Sequence, residues 1–451
     1  MWQTWREVAD LVEECARGMQ KLDLLPWIQN EGQWRFMGIM SKNRWEWTVT
    51  ELASVRQSGT TVALYDTLGA DAVQYIINQT QLTTVACAGQ YLKTLIKLKQ
   101  QGRVASLQNL ITFDDLEYQK EAKEAGINLY NIWEVVSAGQ KAKHEEFNFE
   151  EPQAESVYNF CYTSGTTGDP KAVQITHKNC LSVSTAANYA GVEVFPTDTM
   201  ISYLPLAHSF EKVLFTLCLV KGVRIGFYSG DVQKISDDCM VLKPTFFPSV
   251  PRLYNRIYDK INAKLSELQG VKGYLAHKAI SSKLYYLNEQ GTLNYAFYDR
   301  VVCSKFKAIL GGQIRFMVTG SAPISTDVIN FLKVCFCCAI CEGYGQTECC
   351  AAATLSLPED PVAGHVGGPL PCIKARLADL PEMDYMTTDK PNPRGEILLK
   401  GPSVTPGYFK DSEKTQAAIQ DGWLRTGDVG MILPNGSIKV IDRAKNIFKL
   451  A

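Results

Sequence analysis

Between residues 35 and 115 short apolar runs alternate with helical stretches of about ten residues, a pattern that few folds can accommodate. Runs at 36–40, 61–64, 83–87 and 110–113 read as strands. Stretches at 45–55, 72–78 and 91–98 read as helices, with Gly59 and Gly69 at the punctuation points. Strands that are apolar throughout are buried on both faces, so they pair in parallel and are joined by right-handed helical crossovers. The expected fold class is therefore α/β: layered parallel-type sheets with helices. The chain has 451 residues, 46% of them hydrophobic and 21% charged, enough for a large core divided among two or three domains or subdomains.

The alternation continues further along. Residues 117–152 are polar and charged and read as a surface excursion. Strands are expected again at 173–177, 223–228, 314–319 and 338–344, with a helix of small residues at 179–189. Ile257, Ile261, Leu265 and Leu268 recur at helical spacing within a lysine-bearing stretch, 254–310. Such a stripe packs on the body of a protein or touches a membrane surface, and packing is the expectation. Beyond residue 366 the texture changes to short strands and turns, at 375–377, 395–400, 428–433 and 437–441, with Pro434-Asn435-Gly436 as a hairpin turn. This organisation suggests an α/β body over 1–365 in two sheet subdomains, a small β subdomain over 366–441, and a hinge at 442–451.

Composition removes some functions. With 46 basic and 47 acidic residues the net charge is −1, which speaks against a nucleic-acid binder. No apolar run approaches the roughly 18 residues of a transmembrane helix. The first residues form an amphipathic helix, with Val8, Leu11, Val12 and Cys15 on one face, rather than a targeting peptide. Fourteen scattered cysteines without a secretory signal fit a reducing compartment. The densest group, Cys335, Cys337, Cys338 and Cys341, has no second pair at zinc spacing and reads as a buried strand with small sulfur side chains; a zinc or redox site is the alternative.

Chemistry concentrates in FCYTSGTTGDPK, residues 160–171. An apolar strand end leads into Thr163, Ser164, Gly165, Thr166, Thr167 and Gly168, closed by Lys171. Glycines let successive N–H groups turn toward one point, hydroxyls add donors, and lysine adds charge: the makings of a phosphate cradle. The alternative is a polar surface loop. The usual nucleotide P-loop is excluded, because Pro170 stands where that motif has glycine. Two further strand ends carry polar turns, GSAP at 320–323 and YGQTE at 344–348. Ligands of open parallel sheets sit beyond the carboxyl ends of strands. Glu348 offers a hard oxygen suited to Mg2+, while Asp428 and Arg443 add a hydroxyl acceptor and a cation.

In combination these pieces resemble a known family. The stretch at 162–171, YLPLAHSFE at 203–211, GYGQTE at 343–348, DGWLRTGDVG at 421–430 and IDRAKNIFKLA at 441–451 follow the acyl-adenylate-forming superfamily in order and spacing. Within it, the likeness is to eukaryotic long-chain fatty acyl-CoA synthetases. It extends to LYDTLGADAVQYII at 64–77, FPSVPRLYNRIYDK at 247–260 and GHVGGPLPC at 364–372.

The resemblance implies ATP, Mg2+ and CoA as reactants or cofactor, and a long-chain fatty acid that is activated to acyl-AMP and passed to CoA. It implies that Thr163–Gly168 and Lys171 cradle phosphates, with Thr163, Lys171, Thr347 and Glu348 catalytic. Gly320, Ser321, Gly343, Tyr344, Gly345 and Gln346 would frame the nucleotide, Thr347 would meet the α-phosphate, and Glu348 would hold the metal. Asp428 and Arg443 would hold the ribose, and His208 would lie near the acyl group. Ala172 stands where the family usually has glycine. The family's C-terminal domain, with its catalytic lysine, would follow the 442–451 hinge, so the alternative to a ligase is a nucleotide- or acyl-binding remnant without turnover. Another alternative is an adenylating enzyme for a different acid. By resemblance the chain would face the cytoplasm on the endoplasmic reticulum or another membrane, with peripheral association left open.

Overall fold

The computed structural model describes residues 2–64, 69–142, 147–163 and 169–443. The chain divides into two compact units: residues 1–178 with 205–209 and 405–415, and residues 179–204, 210–404 and 416–451.

The first unit begins with helix α1 (Trp5–Lys21), capped by a reciprocal pair between Thr4 and Glu7. Its strands are β1 (Ile28–Gln29), β2 (Gln33–Trp34), β3 (Phe36–Met40), β4 (Thr60–Ala63), β5 (Thr84–Cys87), β6 (Asn109–Thr112), β7 (Asn128–Asn131), β8 (Val157–Thr163) and β9 (Lys171–Thr176). Seven of them form one sheet in the order β7-β6-β5-β3-β4-β8-β9. All its pairs are parallel except the β8–β9 hairpin. Helices α2 (Trp45–Val55), α3 (Gly69–Thr80), α4 (Leu92–Gln100), α5 (Gln119–Glu124) and α6 (Ile132–Gln140) lie between the strands in sequence. The core strands β3, β4, β5 and β6 are buried at every position, which accounts for their unbroken apolar runs.

The 117–152 excursion is corrected: it contains α5, β7 and α6, so the sheet goes one strand further than the sequence pattern indicated. Strand β7 reads Asn-Leu-Tyr-Asn and is half exposed at the sheet edge, so it carries no apolar run. A signal for α6 was present in the capping pair of Asn131 and Glu134.

Residues 405–415 rejoin this unit along β9. The Phe409 N–H donates to Ala172 O (2.9 Å) and the Gln174 N–H to Gly407 O (3.1 Å). Phe409 then packs on Phe160 (ring centroids 4.8 Å) and Phe36 (6.0 Å). Helices α1 and α6 approach so closely that a Cβ on Gly139 would fall 1.8 Å from Glu14 O, and one on Gly18 1.8 Å from Val135 O.

In the second unit α7 (His177–Tyr189) and α8 (Ser209–Lys221) accompany the parallel pair β10 (Thr199–Ser202) and β11 (Arg224–Phe227). Helix α9 (Ile235–Leu242) precedes strand β12 (Phe246–Ser249), which leads a five-stranded sheet with β13 (Phe316–Thr319), β14 (Ala339–Tyr344), β15 (Thr354–Leu355) and β16 (Gly368–Pro369). The first two pairs are parallel, with Thr319 opposite Glu342, so β13 and β14 finish near one level. Buried Asp198 holds the sheet entrance together. It takes two hydrogen bonds from Arg315 (2.7 and 3.1 Å), one from the Thr245 hydroxyl (2.7 Å) and one from the Phe195 N–H (2.8 Å). Burial pushes its carboxyl up, and these donors together bring it below the usual range.

The 254–310 stretch forms α10 (Pro251–Glu267), α11 (Gly270–Gln290), α12 (Ala296–Tyr298) and α13 (Ser304–Lys307). Ile257, Ile261 and Leu265 are buried against the sheet as expected, but Leu268 caps α10 and is exposed. The cysteine-rich run is corrected: α14 (Thr326–Phe336) takes Cys335, Cys337 turns left-handed (φ 53°), and only then does β14 begin. An antiparallel sheet completes the unit, in the order β17 (Lys374–Ala378), β18 (Arg394–Lys400), β20 (Trp423–Ile432), β19 (Ile419–Gln420), with β21 (Ile438–Arg443) on β20.

Gly139→Ala should destabilise the first unit by about 3 kcal/mol, the upper range for overpacking a close contact. Urea unfolding followed by tryptophan fluorescence checks this, since Trp133 on α6 lies 5.2 Å from Trp45 on α2.

Candidate functional site

The second unit contains a cavity of about 510 Å³ at the carboxyl ends of β13 and β14, within the size range of small-ligand sites. Among its lining residues are Gly320, Ser321, Gly343, Tyr344, Gly345, Asp428 and Arg443. The parallel pairing of β13 with β14 explains their convergence. The two strands pair up to Thr319 and Glu342; β13 then enters its loop, while β14 runs two residues further along β15, to Tyr344, before turning. Ser321 turns left-handed (φ 73°) and the chain enters α14 behind a Ser325 cap. On the other loop, a Cβ on Gly345 would fall 2.2 Å from Ala351 O, so only glycine allows the chain to fold back there.

The polar centre is a hydrogen bond from the Tyr344 hydroxyl to Asp428 Oδ2, 2.8 Å. Asp428 is almost fully buried, and burial pushes its carboxyl up, countered by Tyr344 and the Arg443 guanidinium. Arg443 Nε lies 3.4 Å from Asp428 Oδ1, because β20 and β21 place the two residues opposite each other. Burial, and then the neighbouring Asp428 charge, keep the Tyr344 hydroxyl protonated and able to donate. Asp428 thus holds its remaining acceptor capacity toward the cavity with one lone pair already engaged. Such a carboxylate suits a ligand that presents hydroxyl groups.

Several contributors were not apparent in the sequence reading. Glu342 is buried and accepts the Gly364 N–H at 2.8 Å, tying β14 to the loop that carries His365. Burial raises its carboxyl. His365 Nε2 stands 3.2 Å from Asp360, and its Nδ1 accepts the Gly367 N–H at 3.1 Å. Lys439 brings a cation to the cavity wall. Further back, Glu396 braces the turn before Asp428: it pairs with Arg425 (Nε 3.0 Å) and accepts the Gly427 N–H at 3.1 Å. A polar residue inside a buried strand breaks no periodicity and spells no motif, so only the GHVGG string around His365 hinted at any of these.

The other expected residues are not among those that line the cavity. Thr347 and Glu348 form a 3-10 turn directly after Gln346, just past the lining residues. The Glu348 charge reaches Asp428 and raises it further. Thr163 and Lys171 belong to the first unit, opposite each other as the last residue of β8 and the first of β9, with Lys171 Nζ over the Tyr408 ring at 5.4 Å. Residues 164–168, which include Ser164, Gly165, Thr166, Thr167 and Gly168, lie outside the described residues. His208 is exposed, also in the first unit, on a turn closed by its N–H to Pro205 O at 2.8 Å.

Known proteins share this architecture and sequence. A peroxisomal long-chain acyl-CoA synthetase 7 of Arabidopsis thaliana is 41% identical over 455 residues, covering all of this chain and 63% of the relative. Long-chain-fatty-acid–CoA ligase 5 of Rattus norvegicus is 39% identical over 460 residues, covering 100% and 65%. The chain therefore spans a little under two thirds of these relatives' length. Among solved structures, the adenylation domain of a carboxylate reductase from Mycobacterium chelonae matches with a TM-score of 0.78 at 22% identity, covering 98% of this chain and 65% of that one. The AMP-binding enzyme family matches over residues 1–409, and the chain belongs to that family.

Proposed function

We propose that the chain is the nucleotide- and acyl-binding part of a long-chain fatty acid:CoA ligase, which activates its acid with ATP. One observation carries this reading: seven residues expected at a nucleotide site, from four separate stretches of sequence, line one cavity. The relatives, long-chain acyl-CoA synthetases and ligases by name, support the acid and the thiol acceptor.

In this reaction a fatty carboxylate oxygen attacks the α-phosphorus of ATP, pyrophosphate leaves, and acyl-AMP forms. The CoA sulfur then attacks the acyl carbonyl, AMP leaves, and acyl-CoA forms. Little covalent work falls to the protein, so its task is positioning and charge stabilisation. Gly320, Ser321 and Gly343 present backbone to the adenine, and the Tyr344 ring offers it a face. Asp428, supported by Arg443, accepts hydrogen bonds from the ribose hydroxyls. By the family resemblance, Thr347 would meet the α-phosphate, and Thr163 to Gly168 with Lys171 would receive the outer phosphates. His208 is assigned to the acyl side.

Mg2+ would suit the hard oxygens of the turn that follows the cavity lining. Glu348, next to Thr347 in sequence, is partly exposed, and its charge already raises Asp428, so a cation there would relieve both carboxylates. When bound, the ion supplies charge neutralisation for the triphosphate.

No helix of the described residues is long and apolar enough to cross a membrane. The family resemblance supports peripheral attachment to the endoplasmic reticulum or a similar membrane, on its cytoplasmic face.

The first half-reaction is tested by fatty-acid-dependent exchange of pyrophosphate into ATP. Exchange with long-chain acids is expected; ATP binding without exchange for any acid would reduce the chain to a binding remnant. Hydroxylamine trapping across acids of different length and type decides the substrate, and release only with aryl or amino acids would overturn the fatty-acid assignment. Glu348→Gln should lower Mg2+-dependent exchange about 100-fold, the usual cost of losing one stabilising group, with the melting temperature unchanged.

Asp428→Asn separates binding from stability. Burial raises the folded carboxyl above its ordinary value of 3.8. A carboxyl raised in this way favours the folded state at low pH, and that advantage is lost as pH rises from 3.8 through the folded value. At neutral pH the wild type therefore carries a buried-charge cost that asparagine lacks. The variant should melt at least as high as the wild type at pH 7, with the gap closing at low pH. ATP should bind it about tenfold more weakly, about 1.4 kcal/mol. Melting curves and calorimetric titration check the two arms.

A further inference from the structure

Away from the cavity, the second unit buries a lysine among two thiols and a carboxylate. Lys283 on α11 is almost wholly enclosed, with its side chain 1% exposed. Its ammonium donates to Asp299 and lies 3.1 Å from the Cys337 sulfur. Cys337 Sγ is in turn 3.2 Å from Asp299 Oδ1, and Asp299 is fixed by the Tyr295 N–H at 2.8 Å. Cys303 completes the group. Its sulfur and that of Cys337 lie 3.5 and 3.7 Å from one carbonyl oxygen, that of Val334. The ligand atoms of Asp299, Cys303 and Cys337 all fall within 4.8 Å of one another. That spacing would admit a metal ion, but the Lys283 ammonium already touches two of the three and supplies the positive charge.

An enclosed ammonium needs anionic neighbours, and a thiolate beside one is stabilised in the same way. We infer that Cys337 is a peroxide-reactive thiolate whose sulfenic acid is resolved by Cys303, giving a reversible disulfide between the 299–303 turn and the end of α14. Three observations single out this pair. Of the fourteen cysteines only Cys337 and Cys372 are partly exposed; the other twelve are buried. The Cys303 thiol, donating toward Cys337, and then Lys283 hold the Cys337 thiol below its usual range despite burial and Asp299, whereas burial raises Cys372. Cys303 itself is held protonated, with its thiol pushed up by Cys337 and by burial. Finally, residues 299–303 form a π-helical turn, an irregularity that tends to mark working sites, and Cys337 sits at a left-handed φ of 53°.

The chemistry balances with hydrogen peroxide as oxidant. The Cys337 thiolate attacks one peroxide oxygen and the O–O bond breaks. Sulfur becomes the sulfenic acid, and the other oxygen leaves as hydroxide, which takes up a proton to give water. The Cys303 sulfur then attacks the sulfenic sulfur, an S–S bond replaces the S–OH bond, and hydroxide leaves with the Cys303 proton as a second water. Two thiols supply two electrons to one peroxide.

The full chain is treated with hydrogen peroxide, blocked with N-ethylmaleimide, and digested with trypsin without reduction. Mass spectrometry should show residues 301–305 joined to residues 334–374, and dithiothreitol should release them. Cys303→Ser should abolish the link and leave Cys337 as a sulfenic acid that dimedone captures; Cys337→Ser should abolish both. A link absent from the native wild type, or surviving in Cys337→Ser through a neighbouring cysteine, overturns the assignment. In a Cys303→Ser background, Lys283→Gln should slow dimedone capture about tenfold at pH 7, with the deficit closing near pH 9.5, because an unassisted thiol is mostly protonated at neutral pH. An equal loss at both pH values would make Lys283 a structural residue and remove the thiolate. The serine variants decide the disulfide if Lys283→Gln does not fold. The readout is chemical, so it stands or falls apart from the ligase reading.

Discussion

The hydrogen bond between Tyr344 and Asp428 joins two sheets that were built for different reasons. Strand β14 belongs to a mixed sheet with helices; β20 belongs to an antiparallel one. At 2.8 Å and shielded from water, a bond to an ionised carboxylate is worth more than a neutral one, on the order of 1.5–3 kcal/mol. It also fixes the ring of Tyr344 at the end of its strand, where the chain leaves the sheet. The backbone there is held separately, by the pairing of Tyr344 with Thr354 and by the Ala353 N–H donating to Tyr344 O at 2.8 Å, so what the side-chain tether adds is the orientation of the ring and of the carboxylate toward the cavity.

The tether works only because Asp428 is itself held. Its N–H donates to the Thr426 hydroxyl at 3.1 Å, and that hydroxyl donates to Ile397 O at 2.7 Å. Glu396, in the neighbouring strand, binds both Arg425 and the Gly427 N–H, where the β18–β20 register slips. A bulge of this kind re-aims one side chain, at the expense of regular pairing. The buried carboxylate of Glu396 is thus a support for the buried carboxylate of Asp428, two residues of like charge kept apart by an arginine and a turn.

This layering explains what the amino-acid pattern revealed. The strands at 36–40 and 83–87 were legible because total burial leaves an unbroken apolar run, Gly320, Ser321, Gly343 and Tyr344 because they lie at or just past strand ends, and Asp428 only through the DGWLRTGDVG string, since it sits inside β20. Strand β7 was not, since an edge strand is half polar. Glu342, Glu396 and Arg425 were hidden for a different reason: their partners come from other segments, and pairing across 22 or 29 residues leaves no local signature. The return of Phe409 to the aromatic cluster of Phe36 and Phe160 is hidden in the same way, since it spans the chain from end to end. The cysteine run misled because eight apolar or sulfur residues, 334–341, fit a helix end and a strand start equally well. Only the left-handed turn at Cys337 separates them.

Helix α14 makes that turn matter beyond local geometry. Its first residues follow the Ser325 cap at the cavity, and its last precede Cys337. Midway, buried Lys333 reaches the carbonyls of Asp360 and Pro361 at 3.3 Å each. Burial lowers its ammonium, while the charge of Glu342 draws it back. Glu342 in turn grips Gly364, four residues beyond Asp360. A buried cation and a buried anion, in different elements and linked through one loop, each reduce the cost of enclosing the other. The helix is therefore anchored along its length by charges as well as by packing, and its two ends share one rigid body. A covalent change at the Cys337 end would meet that rigidity directly, because the next residues of the chain are those of β14, which runs to Tyr344.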